Sequence, residues 1–546
     1  MTEPVSCTIA SNNYLAFARV FAQSFLDHHP KAQVFTLIVD EADPSIAYQN
    51  EPFQVVFARE LDIEGYDHLT FKYSLLELNT AVKPYFLEYL NSHFELDSIC
   101  YFDPDIVVLD NLSELFLELD EYDLLLTPHI LEPLRDDARP SERNILSSGV
   151  YNLGFLGVSF NHQTAGFLDW WKARLYTECR SRVDEGLFVD QRWVDLAPAF
   201  LSKVKILRDP GYNVAYWNLA HRFPHQRTGK WWIGDKSLRF FHFSGILPSN
   251  LERISKHQDR FTLSDRPELR PLFVDYRTAL IRAGLEETKD LEYRYGSFDN
   301  GVPVPELARV TLLQVDPSGD RWADPFDTGG PDSYLRWLTE PVGTPSGKWL
   351  PRIALLLWQQ RIDLQAAFPA PLDDSHPAFV DWLLSGEPQA SGVDDFYLAS
   401  LEQEQQNRPG VESLSEPPEA ATVQTLTTDA GFESERQPQI PRLAMIIWEQ
   451  RPDVQEAFVA PLGQSREAFA RWYVTFARME YTLSDELIQP TLRTMSLRDR
   501  LRSRAWYWMA LRGYRAVSRR GSWRDLPGVV PRTSTMQANS TRDFTG

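Results

Sequence analysis

Ile99-Cys100-Tyr101-Phe102-Asp103-Pro104-Asp105-Ile106-Val107-Val108 is the stretch on which the reading of this 546-residue chain turns. An apolar strand runs into two carboxylates separated by one proline, and apolar residues resume at once. The carboxyl end of a strand is where α/β folds build their sites. A turn at Pro104 brings both carboxylates towards one hard cation, and oxygen ligands suit Mn²⁺ or Mg²⁺. A bare Asp-x-Asp is also a common solvated turn, so the rest of the chain has to decide between the two.

Outward from this point, short apolar runs alternate with amphipathic stretches from Val5 to about Phe243, the pattern of an α/β domain. Strands are expected at Val5–Ala10, Val34–Val39, Phe53–Phe57, Ser98–Phe102, Asp123–Thr127, Val150–Val158 and Leu238–Phe243. Helices are expected over Phe71–Leu90, Asn111–Leu119 and Gln163–Arg180. The order in which the strands pair is not encoded in this pattern.

Composition narrows the class. A net charge of −21 opposes broad nucleic-acid binding, because phosphate backbones are gripped by clustered Lys and Arg. Cys7, Cys100 and Cys179 form no CxxC pair and no metal spacing, so neither a disulfide framework nor a structural zinc site is expected. The first residues lack the basic stretch and apolar core of a signal peptide, and no apolar stretch is long enough to cross a bilayer. The expected location is cytoplasmic, with peripheral attachment to the inner face of a membrane.

Further elements follow in chain order: Ser11-Asn12-Asn13-Tyr14 after the first strand, Lys83 in Ala81-Val82-Lys83-Pro84, Asn152 and Gly154 in Tyr151-Asn152-Leu153-Gly154, Asp190-Gln191, and His242-Phe243-Ser244-Gly245. Singly each has an ordinary reading: a core histidine, a turn, a helix cap or a solvated lysine. Together, in this order around an Asp-x-Asp, they resemble the glycosyltransferases of family 8 over about residues 1–260. The resemblance implies a Rossmann-like GT-A domain and retaining transfer of a hexose from a nucleotide diphosphate sugar, UDP above all, to a glycan or lipid-linked acceptor. It implies Asp103, Asp105 and His242 as ligands of Mn²⁺ or Mg²⁺. It implies donor contacts from Ser11, Asn12, Asn13, Tyr14, Lys83, Asp103, Asn152, Gly154 and Gly245, with Asp190 and Gln191 near the transferred carbon. The sequence departs from the family pattern after Gly245: the expected phosphate-binding Lys is missing from Ile246-Leu247-Pro248-Ser249, and the next basic residues are Arg253 and Lys256. Either Lys256, counted among the donor contacts, or Arg253 is expected to supply the charge from a shifted position, the alternative being a neighbouring branch of the family.

Asp103-Pro104-Asp105-Ile106-Val107 also satisfies the pattern of haloacid-dehalogenase-like phosphatases, whose motif ends the first core strand, whereas here a strand and helix series precedes it. A third reading is an inactive transferase-like scaffold acting through its second half.

That second half repeats itself. Pro351-Arg352-Ile353-Ala354-Leu355-Leu356-Leu357-Trp358 returns as Pro441-Arg442-Leu443-Ala444-Met445-Ile446-Ile447-Trp448, and Phe379 and Trp382 correspond to Phe469 and Trp472. Tyr334 and Trp337 read as a partial earlier copy. A repeated helix, proline turn and helix is expected, since such a unit buries its aromatic face only against a neighbour. The expected layout is a transferase domain over 1–265, a helical region with the first copies over 266–385, a flexible acidic and polar linker over 386–439, a second full repeat over 440–490, a basic aromatic amphipathic helix over 491–525 and a disordered tail over 526–546. Between Ser496 and Arg520, arginines alternate with Trp, Tyr, Leu and Met, a pattern expected to meet an anionic membrane surface.

Overall fold

In the computed structural model the described residues are 3–344, 347–386, 392–406 and 466–474, with a few isolated positions up to 495. The chain divides into two compact units, Met1–Arg336 and Trp337–Gly546.

The first unit is built on a seven-stranded mixed sheet. Its strands are β1 (Val5–Ala10), β2 (Gln33–Ile38), β3 (Gln54–Phe57), β4 (Ser98–Phe102), β6 (Leu124–Pro128), β7 (Tyr151–Ser159) and β8 (Val204–Ile206), in the order β3-β2-β1-β4-β7-β6-β8. Strand β7 runs antiparallel to both β4 and β6, while the remaining pairs are parallel. Every residue of β1 and β6 is buried, as expected for strands covered on both faces. The carboxylates therefore emerge from β4, in the middle of the sheet.

Two short strands are decisive, one that the sequence pattern did not separate from β4 and one that lies within the strand expected at Leu238–Phe243. Strand β5 (Ile106–Val108) leaves Asp105 and pairs antiparallel with β12 (Phe240–His242), the partners being Ile106 and His242 at one end and Val108 and Phe240 at the other. Between them in sequence, β9 (Pro224–Arg227), β10 (Lys230–Ile233) and β11 (Lys236–Ser237) form a small antiparallel sheet. The other expected strands lie within a residue or two of their observed limits.

The helix expected over Phe71–Leu90 is instead three: Tyr66–Lys72, Leu75–Ala81 and Lys83–Phe94. The break has a local cause. Ser74 caps the second segment by accepting from the Glu77 amide while the Glu77 side chain returns to the Ser74 amide, and Pro84 sits in the first turn of the third.

Residues 266–336 lie in the same compact unit as the sheet, whereas the sequence reading ended the domain at 265. Helix Arg270–Arg282 buries Leu272, Phe273, Tyr276 and Leu280 in a cluster with Phe17, Val20, Phe241 and Phe243. Tyr334 belongs to this unit too, its ring 5.4 Å from that of Phe71, while Trp337 begins the second unit.

In the second unit, Arg352–Gln360, Ile362–Ala367 and His376–Leu383 are helical, with Pro369 and Pro371 in the turn before the last. Phe379 and Trp382 stack at 5.8 Å and 6°, and Phe469 and Trp472 on helix Arg466–Trp472 stack at 5.6 Å and 12°. The expected linker over 386–439 contains a helix, Asp395–Gln406, with Tyr397, Leu398 and Leu401 buried. Their helical spacing was masked by the polar residues around them. Most of 407–465 and all of 496–546 lie outside the described residues, including the expected basic helix and tail.

Candidate functional site

The β4 to β5 turn and the end of β12 bring together Asp103, Asp105 and His242, whose ligand atoms lie within 4.8 Å of one another. His242 Nε2 is 3.0 Å from Asp105 Oδ1 and 3.6 Å from Asp103 Oδ2. The ligands of an octahedral ion bound at roughly 2.1 Å sit about 3 Å apart when adjacent, so the spacing and the O, O, N donor set fit Mn²⁺ or Mg²⁺. His242 is buried, while the Asp105 and Asp103 side chains are 16% and 33% exposed, so the cluster opens on its carboxylate side.

Neighbouring groups fix this geometry. The Asp103 amide donates to the Gly154 carbonyl at 2.8 Å, the Phe243 amide donates to the Asp105 carbonyl at 2.9 Å, and the Tyr101 hydroxyl donates to Asp103 Oδ1 at 2.7 Å. His242 Nδ1 lies 3.3 Å from Asn213 Oδ1. Because the Asn213 amide nitrogen donates to Thr127 Oγ1 at 2.8 Å and to Asn152 Oδ1 at 2.9 Å, its oxygen is the atom facing the imidazole. Nδ1 then carries the proton, leaving the Nε2 lone pair for the carboxylate side. Burial alone would push the imidazolium down, but Asp105 and Asp103 outweigh it and raise its pKa. The ring is held edge-on by Trp217 at 5.2 Å.

Asn152 joins this half of the site to the other. Its side-chain nitrogen donates to Gln191 Oε1 at 3.3 Å, and the same oxygen accepts from the Leu153 amide at 3.0 Å. Gln191 Nε2 donates to the Ser148 carbonyl at 2.7 Å. A buried chain of amides thus runs from His242 through Asn213 and Asn152 to Gln191. Beside it, His129 is pushed down to about 4, chiefly by burial, and stays neutral at physiological pH. Lys83, 1% exposed, puts Nζ 2.6 Å from Asp190 Oδ2, 3.0 Å from the Leu153 carbonyl and 4.2 Å above the Tyr101 ring. Burial raises the Asp190 carboxyl, and Lys83 opposes that shift.

The remaining expected contacts are divided. Asn12 is buried, its side chain bonded to the Glu41 carbonyl at 2.8 Å and to the Tyr48 hydroxyl at 2.7 Å. Ser11 Oγ donates to Asn13 Oδ1 at 2.5 Å. Tyr14 is 41% exposed, and its hydroxyl is pushed up to about 12 by burial and then by the charges of Asp105 and Asp103. Gly245 has φ +69°, and a Cβ there would lie 2.4 Å from His257 Cδ2. The Lys256 amide donates to the Gly245 carbonyl at 2.9 Å, which sets the exposed Lys256 beside the turn lacking its lysine. Arg253 spends its guanidinium on the Lys256 carbonyl at 2.8 Å.

Asn213, Trp217 and His129 were missed by sequence reasoning. They sit in irregular stretches without motif or periodicity. The one available signal was the density of polar and aromatic residues in Tyr212-Asn213-Val214-Ala215-Tyr216-Trp217-Asn218.

A mixed seven-stranded α/β sheet with an Asp, Asp, His cluster at the end of its central strand defines the architecture, and neighbours among solved structures are glycosyltransferases. The galactosyltransferase LgtC in complex with donor and acceptor sugar analogs is 16% identical, covering 50% of this chain and 95% of that one with a TM-score of 0.32. The glycosyltransferase GlyE of Streptococcus pneumoniae TIGR4 is 15% identical, covering 55% of this chain and 67% of that one, also with a TM-score of 0.32. No family model matches the chain. Among curated proteins, the uncharacterized protein YfnF of Bacillus subtilis is 27% identical over 275 residues, 49% of this chain and 89% of its own length.

Proposed function

We propose that the first unit is a metal-dependent glycosyltransferase, similar to family 8, that moves a hexose from a nucleoside diphosphate, UDP first, to a glycan or lipid-linked acceptor with retention of configuration. The observation that carries this reading is the Asp103, Asp105, His242 cluster, with its imidazole held by Asn213 in the tautomer that offers Nε2. A bound Mn²⁺ or Mg²⁺ would supply Lewis-acid stabilisation of the charge that grows on the departing diphosphate.

This chain's residues do the rest. Asp103 and Asp105 bind on the open side of the cluster, with Tyr14 near enough to feel both charges, and Ser11 and Asn13, three and one residues before it, are the further donor contacts of this reading. Lys256 supplies a positive charge to the diphosphate from its place beside Gly245. Gln191 is oriented by Ser148, Leu153 and Asn152, so that its amide dipole is fixed before substrate arrives, the preorganisation on which electrostatic stabilisation of an oxocarbenium-like centre depends. Lys83 acts through Asp190: paired at 2.6 Å, it opposes the upward push of burial on that carboxyl and fixes its position beside the reacting carbon.

The test is hydrolysis of UDP-hexoses by the full chain with Mn²⁺, with chelator, and with Asp105→Asn. Turnover that requires the ion and falls at least about 100-fold in the variant is expected. Turnover indifferent to chelator, or a first product of inverted anomeric configuration by proton NMR, overturns the respective part of the reading.

A further inference from the structure

The carbonyl of Ser148 holds Gln191, so two short elements flank this end of the site: helix Glu142–Ser148 and the segment from Gln191 to Phe200. Both present apolar side chains to solvent. Leu146 is 60% exposed, Val150 38%, Leu196 44% and Phe200 51%. These residues form one surface. The Val150 amide donates to Asp195 Oδ1 at 2.9 Å, and helices Glu142–Ser148 and Gln191–Val194 pack together. Leu196 and Phe200 are four residues apart across the helical turn Ala197–Phe200, and so share its outer side. The Phe200 ring stands edge-on to Trp170 at 4.8 Å, and Trp170 meets Trp193 at 6.1 Å. Phe200 is therefore propped outward by packed aromatic rings.

The segment that carries the ridge is locally basic in a chain of net charge −21: Arg192, Lys203, Lys205 and Arg208 stand against Asp195, with Asp209 next in sequence. Lys205 is paired with Glu118 at 3.2 Å. Asp195 is already engaged by Arg192 and by the Val150 amide, while Lys203 and Arg208 are exposed. Apolar side chains that project from a rigid turn, with Trp at their base and cations at their margin, match the apolar-to-anionic boundary of a lipid surface.

We propose that the Leu196–Phe200 ridge, with Leu146 and Val150, seats the protein on an anionic bilayer, so that the acceptor offered to Gln191 is one anchored in that bilayer. The second clause rests on the transfer reading, whereas the first stands without it. Membrane attachment was expected from 496–520; this surface is a separate one, in the catalytic unit.

The test is co-sedimentation of the full chain with vesicles of phosphatidylglycerol and phosphatidylcholine in equal parts, and with phosphatidylcholine alone. Binding to the anionic vesicles that weakens with salt is expected, with a loss of about tenfold or more in Leu196→Glu/Phe200→Glu. Leu196→Ser/Phe200→Ser provides a milder second variant, and both are checked by thermal melting. Hydrolysis of UDP-hexose in solution should be unchanged in both, since neither residue touches the cluster. If the wild-type chain hydrolyses no donor, the transfer reading fails while the vesicle result still decides the docking surface. Equal sedimentation of variants and wild type, no binding by the wild type, or variants that instead dissolve a dimer of this chain would each overturn the proposal.

Discussion

Gly154 shows how tightly the site is drawn at the scale of one residue. A Cβ at this position would lie 2.3 Å from His242 Cε1 and 2.8 Å from Asn152 Oδ1, so β7 passes directly against the imidazole only because no side chain intervenes. The sequence pattern singled out this glycine, but for contact with the sugar; the structure places it against His242. Asp103, Asp105 and His242 were legible because each borders an apolar strand, Asp103 just after β4, Asp105 just before β5 and His242 at the end of β12, where a polar residue is conspicuous. Asn213 was not, since an asparagine in an irregular stretch is ordinary, and its role depends on two partners, Thr127 and Asn152, remote in sequence. Gly154→Ala must displace the His242 ring or the Asn152 amide. We expect Mn²⁺ affinity to fall by about 10- to 100-fold, the range for a disturbed supporting shell, with little loss of thermal stability. Mn²⁺ titration calorimetry checks this, and wild-type affinity in the variant would show that the imidazole tolerates displacement.

Helix Tyr66–Lys72 carries a similar lesson one scale up, where two cations at its end have opposite effects. Arg309, from helix Glu306–Val315, donates to the carbonyls of Phe71 at 2.5 Å, Tyr73 at 3.1 Å and Tyr295 at 2.6 Å, satisfying backbone acceptors that a buried helix end would otherwise leave unpaired. Lys72 is 0% exposed, and among the described residues its Nζ has no hydrogen-bond partner; it lies over the Tyr176 ring at 3.7 Å and the Tyr73 ring at 5.5 Å. Burial, and then Arg180, push its pKa down to about 7. The sequence could not show this, because a lysine closing a helix reads as a favourable solvated cation. The lowered folded value fixes the sign. The unfolded lysine, near 10.4, holds its proton over the window from about 7 to 10 where the folded one has released it, so stability rises with pH through that window. Below about 7 both states are protonated and the full penalty applies, on the order of 4 kcal/mol as an upper bound. Lys72→Met should therefore raise the melting temperature at pH 7, with the gain shrinking towards pH 10. Melting curves across this range decide it: a variant less stable at pH 7, or a gain independent of pH, contradicts the account.

Over the whole chain, the strand and helix alternation and the motif order were readable, and the limits of the first unit were not. The boundary at 265 followed the last motif, but the core does not end where the motifs do. Leu272, Phe273, Tyr276 and Leu280 are buried against Phe17, Val20 and Phe243, and the Phe71 ring is covered by Phe298 at 5.5 Å and Phe326 at 4.8 Å. His68 Nε2 lies 2.9 Å from the Asp316 carbonyl, and the Asp316 carboxylate in turn accepts from the Trp322 amide at 2.9 Å. The first four share one face of helix Arg270–Arg282, in the stretch expected to be helical, but Phe298, Trp322 and Phe326 sit in polar loops with no sustained periodicity, so nothing in the pattern ties this stretch to the sheet. Exposing four such side chains costs roughly 1.5–3 kcal/mol each, comparable in sum to the about 5–15 kcal/mol by which a domain is stable. A chain ending at Arg336 should consequently be soluble, melt cooperatively and retain metal-dependent donor hydrolysis, whereas one ending at 265 should aggregate or fail to melt as a unit. Expressing both and recording thermal melts with Mn²⁺ and UDP is sufficient. A cooperative, ligand-stabilised 1–265 fragment would show that residues 266–336 decorate the core without completing it, and a 1–336 fragment that folds yet hydrolyses no donor would place an essential part of the site in the second unit.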